Sequence, residues 1–404
     1  MVFLPPTTLP FPLSEPPFRL DPLAQAVKLA MEKPRTATIL ECFSELTDPR
    51  LNRKKRHLLE DIVVLAIGGI LSGADDGVSI EAFGIEKYHW FKQFLSLPNG
   101  IPSHDTFGRV FSLLSPDEFQ AGFTRWIHAI AIKTQGQVVP IDGKTRRRSH
   151  DRGHGQSAIQ MVSAWASENR LVLGQLKTDA KSNEITAIPE LLQVLDISGC
   201  IITIDAISCQ KNIAEMMIKK AADYVLALQA NQENLFTEVT AAFAKAESHS
   251  FQDPAIDYDE TMTKDHGRLD SRRYWVMNNL SAFKHITAWK NLRLIGMVES
   301  ERTVRGKTTI ERRYYISSLE KNASLFAKAV RLHWGIEHSV HWILDMAFRE
   351  DESRVRKGHA PENLAVLRHI ALNLLRDDST PLGIKNTRLK AGWSTDYLTH
   401  LLWG

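Results

Sequence analysis

Two short apolar runs, each ending in a single aspartate, constrain the fold of this 404-residue chain more than any other feature. Residues 138–143 read VVPIDG, and residues 201–206 read IITIDA. Short runs rich in β-branched residues and bounded by turn signals predict buried strands. Asp142 and Asp205 then stand where strands end, and a poorly hydrated carboxylate there needs a positive partner. With a third carboxylate from a helix, the pair would form a divalent-cation site suited to phosphodiester chemistry.

The sequence around these runs predicts four regions. Residues 1–35 are rich in proline and predict a disordered leader, and residues 36–133 predict a helical domain. Residues 134–376 alternate between strand and helix patterns, with a more polar, β-rich insertion at about 235–315. Residues 377–404 are predicted to be a C-terminal tail. Within the alternating region the predicted strands are 137–142, 158–166, 170–177, 200–205 and 223–229, and the predicted helices are 184–196 and 210–221. The fold class that follows is a mixed α/β sheet flanked by helices and preceded by a helical domain.

Composition excludes several classes of protein. A charge of +3 and 43% hydrophobic residues are typical of a globular protein, and the charge is too small to indicate a nucleic-acid partner by itself. The three cysteines, Cys42, Cys200 and Cys209, lack metal-site spacing and favour a reduced, cytosolic setting. No apolar run approaches the roughly 20 residues that span a bilayer, and the N-terminus lacks the pattern of a signal peptide.

Glu337 is the candidate for the third carboxylate. The sequence predicts a helix over about 325–348, on which the apolar or aromatic residues of one stripe surround Glu337. An ionised glutamate in such a stripe requires a cation, a metal or a raised pKa. Mg²⁺ prefers oxygen ligands, and two ions roughly 4 Å apart can activate an attacking oxygen and stabilise a leaving one. The stripe consists of Val330, Trp334, Glu337, His341, Leu344 and Phe348.

Two other interpretations of this helix stay open. Glu337 could be the buried partner of an arginine elsewhere in the fold. Alternatively, His333, Glu337 and His341 are spaced four residues apart and could bind Zn²⁺, although the adjacent His-Glu pair of the zinc protease motif is missing.

Clusters of basic residues favour contacts with a phosphate backbone. One follows the first aspartate, and the other precedes an apolar helix. A solvated loop is the alternative for each of them. The candidate DNA-binding residues are Lys144, Arg146, Arg147, Arg148, Arg53, Lys54, Lys55 and Arg56.

Segments spread over the chain from about residue 40 to the end carry a family resemblance. The chain resembles the ISAs-type insertion-sequence transposases, also called H-repeat-associated proteins, within the DDE group of RNase H-like enzymes. The segments that carry the resemblance are LTDPR (46–50), GIPSHDTF (100–107), IDGK (141–144), VSAW (162–165), KSNEI (181–185), TIDA (203–206), HWGIE (333–337) and ENLA (362–365).

The resemblance implies an RNase H-like catalytic domain and a catalytic set of Asp142, Asp205 and Glu337 that binds Mg²⁺ or Mn²⁺, with two ions expected. It also implies a β-rich insertion between the second aspartate and the glutamate, and a DNA-binding or accessory role for the helical domain. The partners implied are terminal inverted repeats and target DNA, bound by a homodimer in the cytoplasm, at the nucleoid, of a bacterial cell.

The function that these observations favour is a DNA transposase, which cleaves the ends of an insertion sequence and joins the freed 3′-OH to target DNA. Two alternatives remain: a catalytically inactive DNA-binding relative, and a metal-dependent nuclease on the same fold. The first would bind DNA without nicking it, and the second would hydrolyse DNA without joining ends.

Overall fold

A computed structural model of the protein describes residues 39–130, 136–145, 160–178, 184–265, 268–304 and 307–403. The predicted leader and three predicted phosphate contacts, Arg146, Arg147 and Arg148, lie outside these residues. The predicted fold class, an RNase H-like mixed α/β sheet flanked by helices and preceded by a helical region, is confirmed in its architecture.

The N-terminal region is helical because apolar residues recur on its short segments. Its helices are α1 Ile39–Phe43, α2 Leu59–Leu71, α3 Gly77–Glu86, α4 Tyr88–Phe91, α5 His104–Leu113 and α6 Pro116–Ile130. α2 is buried along its length from Asp61 to Leu71. The carboxylate of Asp76 caps α3 by accepting a hydrogen bond of 2.9 Å from the backbone N–H of Ser79. α3 and α4 are separate helices because the backbone leaves helical geometry at Lys87, which lies between them.

The nine strands found among the described residues form one sheet. The strands are β1 Val138–Thr145, β2 Gln160–Ala166, β3 Leu171–Thr178, β4 Ile201–Ile204, β5 Asp223–Leu228, β6 Ile256–Asp265, β7 Arg268–Met277, β8 Leu294–Val304 and β9 Lys307–Ser317. Their order is β3-β2-β1-β4-β5-β9-β8-β7-β6. β1, β4 and β5 are parallel to one another, and the remaining neighbours are antiparallel.

Both faces of the central strands are covered, which explains why β1 and β4 are continuously apolar. Alternate residues point to opposite faces, so Val139 and Ile141 pack in a different core from Val138. The helices on the first face are α7 Glu184–Val194, α8 Lys211–Lys219 and α9 Glu233–Ser248. The opposite face packs against α10 Ala323–His333.

The region predicted as a β-rich insertion extends the central sheet. It begins with α9 and continues with β6 to β9, which form a meander. β9 pairs with β5, so that Val225 lies opposite Ser317 and the meander continues the same sheet.

The C-terminal helices share a core with the N-terminal region. They are α11 Trp342–Phe348, α12 Ala360–Asp377, α13 Ile384–Trp393 and α14 Thr395–Trp403. The residues predicted as a polar tail therefore form α13 and α14. The guanidinium group of Arg388 donates to the carbonyl oxygen of Ile70 at 2.9 and 2.7 Å, and Leu398 is fully buried. Every helix in the described part of the chain is too short or too polar to cross a bilayer.

Candidate active site

Asp142 and Asp205 lie side by side at the carboxyl ends of two parallel strands. β1 and β4 pair so that Ile141 is opposite Ile204, and each aspartate directly follows one of these isoleucines. Adjacent strands are about 4.8 Å apart, so the two carboxylates meet at the sheet edge where open α/β sheets bind ligands. The structure therefore brings together the two aspartates that the sequence selected.

The charge around these aspartates is strongly negative. Burial raises the pKa of Asp142 to about 7, and the charges of Glu184, Asp205 and Glu337 raise it as well, although the backbone N–H of Gly143 donates to Oδ1 at 2.9 Å. Burial also raises the pKa of Asp205. Burial is the largest cause for both residues, so the ionised form of each carboxylate is poorly stabilised without a cation. A divalent cation with a preference for oxygen ligands would stabilise that form.

Glu184 provides a fourth carboxylate at this site, and it was not among the predicted site residues. It is the first residue of α7, and its Oε1 accepts a 2.6 Å hydrogen bond from Nε2 of Gln160. Burial and the charge of Asp205 raise its pKa. An acidic residue in the first turn of a helix is ordinary, because it complements the helix dipole. Glu184 lies within the KSNEI segment that carries the family resemblance, and that segment is the signal in the sequence that could have pointed to it.

Gly143 is required by the close approach of Glu184. A Cβ atom at position 143 would lie 2.0 Å from Oε1 and 2.4 Å from Cδ of that glutamate. We expect Gly143→Ala to displace the Glu184 carboxylate and to lower the melting temperature, because a buried overlap of this kind typically costs about 1–3 kcal/mol. Thermal unfolding measures the effect.

Gly108→Ala is the matched control, since a Cβ there meets no atom within 4 Å and alanine favours the helix interior. Combining Gly143→Ala with Glu184→Ala should recover part of the lost stability. A Gly143→Ala protein as stable as the wild type would contradict the packing described here.

Glu337 lies in a π-helical turn, Glu337–His341, and its side chain is exposed. The predicted buried stripe is therefore wrong at this residue and at Trp334, which is 41% exposed. α10 ends at His333, and a π turn with i→i+5 bonds changes the direction of the side chains that follow. The charge of Glu337 nevertheless acts on Asp142, and π turns are frequent at functional sites.

No three His, Cys, Asp or Glu side chains among the described residues are already arranged to hold one metal ion. His333, Glu337 and His341, the residues of the zinc alternative, are therefore not arranged as ligands of one ion either. Nδ1 of His333 lies 3.0 Å from Oγ1 of Thr203, and Nδ1 of His341 lies 3.6 Å from Oδ2 of Asp142. Burial lowers the pKa of both histidines to about 4. The donor chemistry of the carboxylates fits a hard divalent cation, and their geometry would have to tighten when the ion binds.

Lys144 lies inside an ion-pair network. Its Nζ is 2.5 Å from Oδ1 of Asp345 and 3.1 Å from Oε2 of Glu350, and its side chain is only 11% exposed. Both carboxylates neutralise this ammonium group in the structure, and the phosphate contact at Lys144 stays a prediction.

The second basic cluster lies on the surface. Arg53, Lys55 and Arg56 are exposed, and Nζ of Lys55 is 3.9 Å from Oδ2 of Asp48. The backbone of Lys54 belongs to a 3₁₀ turn, Asn52–Lys54. Arg53, Lys55 and Arg56 are accessible to a phosphate backbone.

A groove of about 710 Å³ begins at Glu337 and runs between the β7–β9 ladder and α10. The guanidinium group of Arg313 lies 4.5 Å from the ring centroid of Trp334 at this groove. Four acidic residues, Asp270, Glu301, Glu311 and Glu337, line the same groove and balance the charge of its arginines. The arginines that line the groove are Arg272, Arg302, Arg313 and Arg331.

The fold and the site together define a class of protein. Its members are α/β proteins with carboxylates at the ends of adjacent parallel strands. Comparison with known proteins identifies the family. The family described as "Transposase DDE domain" matches residues 132–374, and the one described as "DDE_Tnp_1-associated" matches residues 40–127. The chain therefore belongs to the DDE transposase family.

Individual relatives agree with this assignment. The chain is 41% identical over 370 residues to "Putative transposase YncI" of Escherichia coli O157:H7, covering 90% of this chain and 94% of that one. It is 38% identical over 372 residues to "H repeat-associated putative transposase YhhI" of Escherichia coli (strain K12), covering 91% and 98%. The resemblance inferred from short motifs is thereby confirmed.

One solved structure, a piggyBac transposase synaptic complex with hairpin DNA, has a TM-score of 0.41 and 13% identity to this chain. It covers 94% of this chain and 81% of its own. A likeness of that degree supports no conclusion about function.

Proposed function

We propose that this protein is a DNA transposase that cleaves the ends of an insertion sequence and joins the freed 3′-OH to target DNA. The observation that carries the proposal is the meeting of Asp142 and Asp205 at one sheet edge, with the charge of Glu337 acting on Asp142. Membership of the DDE transposase family supports it.

The proposed reaction has two phosphoryl transfers. In the first, the oxygen of a water molecule attacks phosphorus at the element end, the bond from phosphorus to the 3′ oxygen breaks, and that oxygen leaves as a 3′-OH. In the second, the 3′-OH attacks a phosphorus of target DNA, and the 3′ oxygen of the target strand leaves. One phosphodiester bond forms for each one that breaks in this second step, so no external energy source is needed.

Asp142, Asp205 and Glu337 are the residues that would hold divalent ions, Mg²⁺ or Mn²⁺, and two ions are proposed. Such ions supply activation of the attacking oxygen and stabilisation of the leaving one. The carboxylates orient the reacting phosphate through the ions, and the low hydration of Asp142 strengthens every electrostatic interaction at the site. Action as a homodimer at the bacterial nucleoid, on two terminal inverted repeats, belongs to the same proposal.

Joining of ends separates this function from its alternatives. The test is incubation of the full-length protein with terminal-repeat DNA, target DNA and Mg²⁺. We expect both cleaved ends and joined products. Cleavage without joining would indicate a nuclease, and binding without cleavage would indicate a catalytically inactive relative.

Arg53 and Arg56 are proposed phosphate contacts, together with Lys54, Lys55 and the segment 146–148. We expect Arg53→Gln and Arg56→Gln each to weaken DNA binding. The loss of affinity should be about the same whatever the DNA sequence. Each should reduce the slope of log affinity against log salt by about one, because one fewer counterion is released.

Lys219→Gln is the matched control for this measurement, since Lys219 is exposed and pairs with Glu215 at 2.8 Å on a surface outside both basic clusters. An unchanged salt slope in both arginine variants would remove this cluster from the interface.

A further inference from the structure

Lys144 makes three contacts with one short segment of the chain. Its Nζ lies 2.5 Å from Oδ1 of Asp345, 3.1 Å from Oε2 of Glu350 and 3.3 Å from the carbonyl oxygen of His341. All three acceptors belong to residues 341–350, a segment that begins four residues after Glu337 in the chain. The lysine itself stands two residues after Asp142 in β1.

The Lys144–Glu350 pair is buried, whereas Asp345 is 31% exposed. The exposed fraction of the Lys144 side chain is 11%, and that of Glu350 is 4%. The other oxygen of Glu350, Oε1, lies 3.7 Å from the guanidinium group of Arg368, which is 2% exposed. A buried charge is stable only when it is paired, and the loss of one partner is strongly destabilising. The network therefore fixes β1 against the chain that follows the π turn.

The position of Glu337 depends on this backbone. Its side chain is exposed at the first residue of the π turn, and the carbonyl that Lys144 binds belongs to His341, the last residue of that turn. The lysine therefore connects the two ends of the candidate site: the strand that carries Asp142 and the turn that carries Glu337.

We propose that Lys144 is a positioning residue, which fixes the Glu337 turn against the Asp142 strand, and that it does not contact DNA phosphate. The inference rests on the proposed function for its catalytic consequence. Groups that orient metal ligands from outside the ligand set typically change metal affinity by 10–100-fold when they are removed. Lys144 would act in this way on Glu337.

The test uses the full-length protein and the variants Lys144→Gln and Asp345→Asn. The second removes one negative charge beside Lys144 and leaves Lys144 paired with Glu350, so it provides the test if the first variant fails to fold. We expect the Mn²⁺ concentration for half-maximal cleavage of end DNA to rise about 10-fold or more. Cleavage should return towards the wild-type rate at saturating Mn²⁺, and the salt slope of DNA binding should not change. Thermal unfolding of each variant without metal separates this effect from a general loss of folding, because metal that binds only the folded state would also stabilise a destabilised variant.

Two further measurements make the result independent of cleavage. Mn²⁺ binding, followed by electron paramagnetic resonance without DNA, should weaken by a similar factor. Hydrogen exchange of the backbone amides of residues 337–345 should accelerate, while the amides of α2 keep their protection. Lys219→Gln is the control and should behave as the wild type in each measurement.

The outcomes separate the inference from the proposed function. If the wild type neither cleaves DNA nor binds Mn²⁺, the proposed function fails, yet faster exchange confined to residues 337–345 would still support the positioning role. A salt slope reduced by about one, with unchanged Mn²⁺ affinity and unchanged exchange, would identify Lys144 as a phosphate contact and overturn the inference.

Discussion

Asp205→Asn should abolish strand cleavage of terminal-repeat DNA, with a loss of roughly 1,000-fold or more, while the affinity for DNA stays within a few-fold of the wild type. Asparagine keeps the volume of the side chain and removes the charge at the end of β4. Asp205 lies beside Asp142 at the sheet edge, so the remaining carboxylates would hold a divalent ion poorly. Cleavage under single-turnover conditions in Mg²⁺ measures the effect, and a filter-binding or fluorescence titration measures DNA affinity.

Asp223→Asn is the matched control for that experiment. Asp223 begins β5, where it lies opposite Ile201 at the other end of the parallel strands, and its Oδ1 accepts a hydrogen bond from Oγ of Ser318 at 2.7 Å. We expect this variant to cleave DNA at close to the wild-type rate. Cleavage undiminished by Asp205→Asn would count decisively against the assignment.

Asp142→Asn should stabilise the metal-free protein above pH 7, although it removes a residue that the proposed function requires. The folded protein holds a proton on Asp142 with a pKa of about 7, whereas an unfolded chain releases it near pH 4. Between these values the folded state binds more protons, so the free energy of unfolding falls as the pH rises from about 4 to about 7. A pKa difference of about three between the folded and unfolded states lowers the free energy of unfolding by at most on the order of 4 kcal/mol.

The measurement is chemical denaturation at pH 4 and pH 8 in the presence of a chelator. The stabilisation by Asp142→Asn should be near zero at pH 4 and a few kcal/mol at pH 8. Mg²⁺ or Mn²⁺ should stabilise the wild type at pH 8 and remove most of the difference, because the ion binds only the folded state.

Asp48→Asn is a control for which we expect the opposite change in the free energy of unfolding. Burial alone would raise the pKa of Asp48, but hydrogen bonds and the charge of Arg50, 2.8 Å away, lower it. The stability that this carboxylate contributes is present above the unfolded pKa and is lost as the pH falls through the folded one. Asp48→Asn should therefore destabilise the protein at pH 8. If Asp142→Asn also destabilises it there, the negative charge at the sheet edge is balanced in a way that the structure does not show.

The sequence predicted the central sheet well because its strands are buried on both faces. Such strands are continuous apolar runs, and the turn residues around them mark their ends, so the predicted strand 200–205 corresponds to β4 and 223–229 to β5. The same runs located Asp142 and Asp205. The strand patterns predicted that these aspartates share a site, but the pairing of β1 with β4, which places them together, depends on contacts distant in the chain and was not predicted.

The features that were not predicted have two physical causes. One is a departure from regular helical periodicity, and the other is contact between residues distant in the chain. A period of 100° per residue predicted that Glu337 is buried, and the π turn at Glu337–His341 breaks that period. The ion pairs of Lys144 with Asp345 and Glu350 were not predicted because these partners are about 200 residues away in the chain. Glu184 was not selected as a site residue, although it lies in the KSNEI segment that carries the family resemblance.

The C-terminal residues were predicted as a tail because they are polar on average. Arg388, Tyr397 and Leu398 nevertheless lie in the interior, where Arg388 donates to the carbonyl of Ile70. Average polarity conceals such burial because one hydrogen-bonded arginine can occupy a core position.

Anomalous diffraction from crystals of the protein with pre-cleaved end DNA and Mn²⁺ gives the most direct view of the proposed cation site. We expect Mn²⁺ peaks within bonding distance of carboxylate oxygens of Asp142 and Asp205, with Glu337 drawn in as a further ligand. Peaks confined to other residues, or a Glu337 carboxylate that stays out of ligand reach in the DNA complex, would contradict the account.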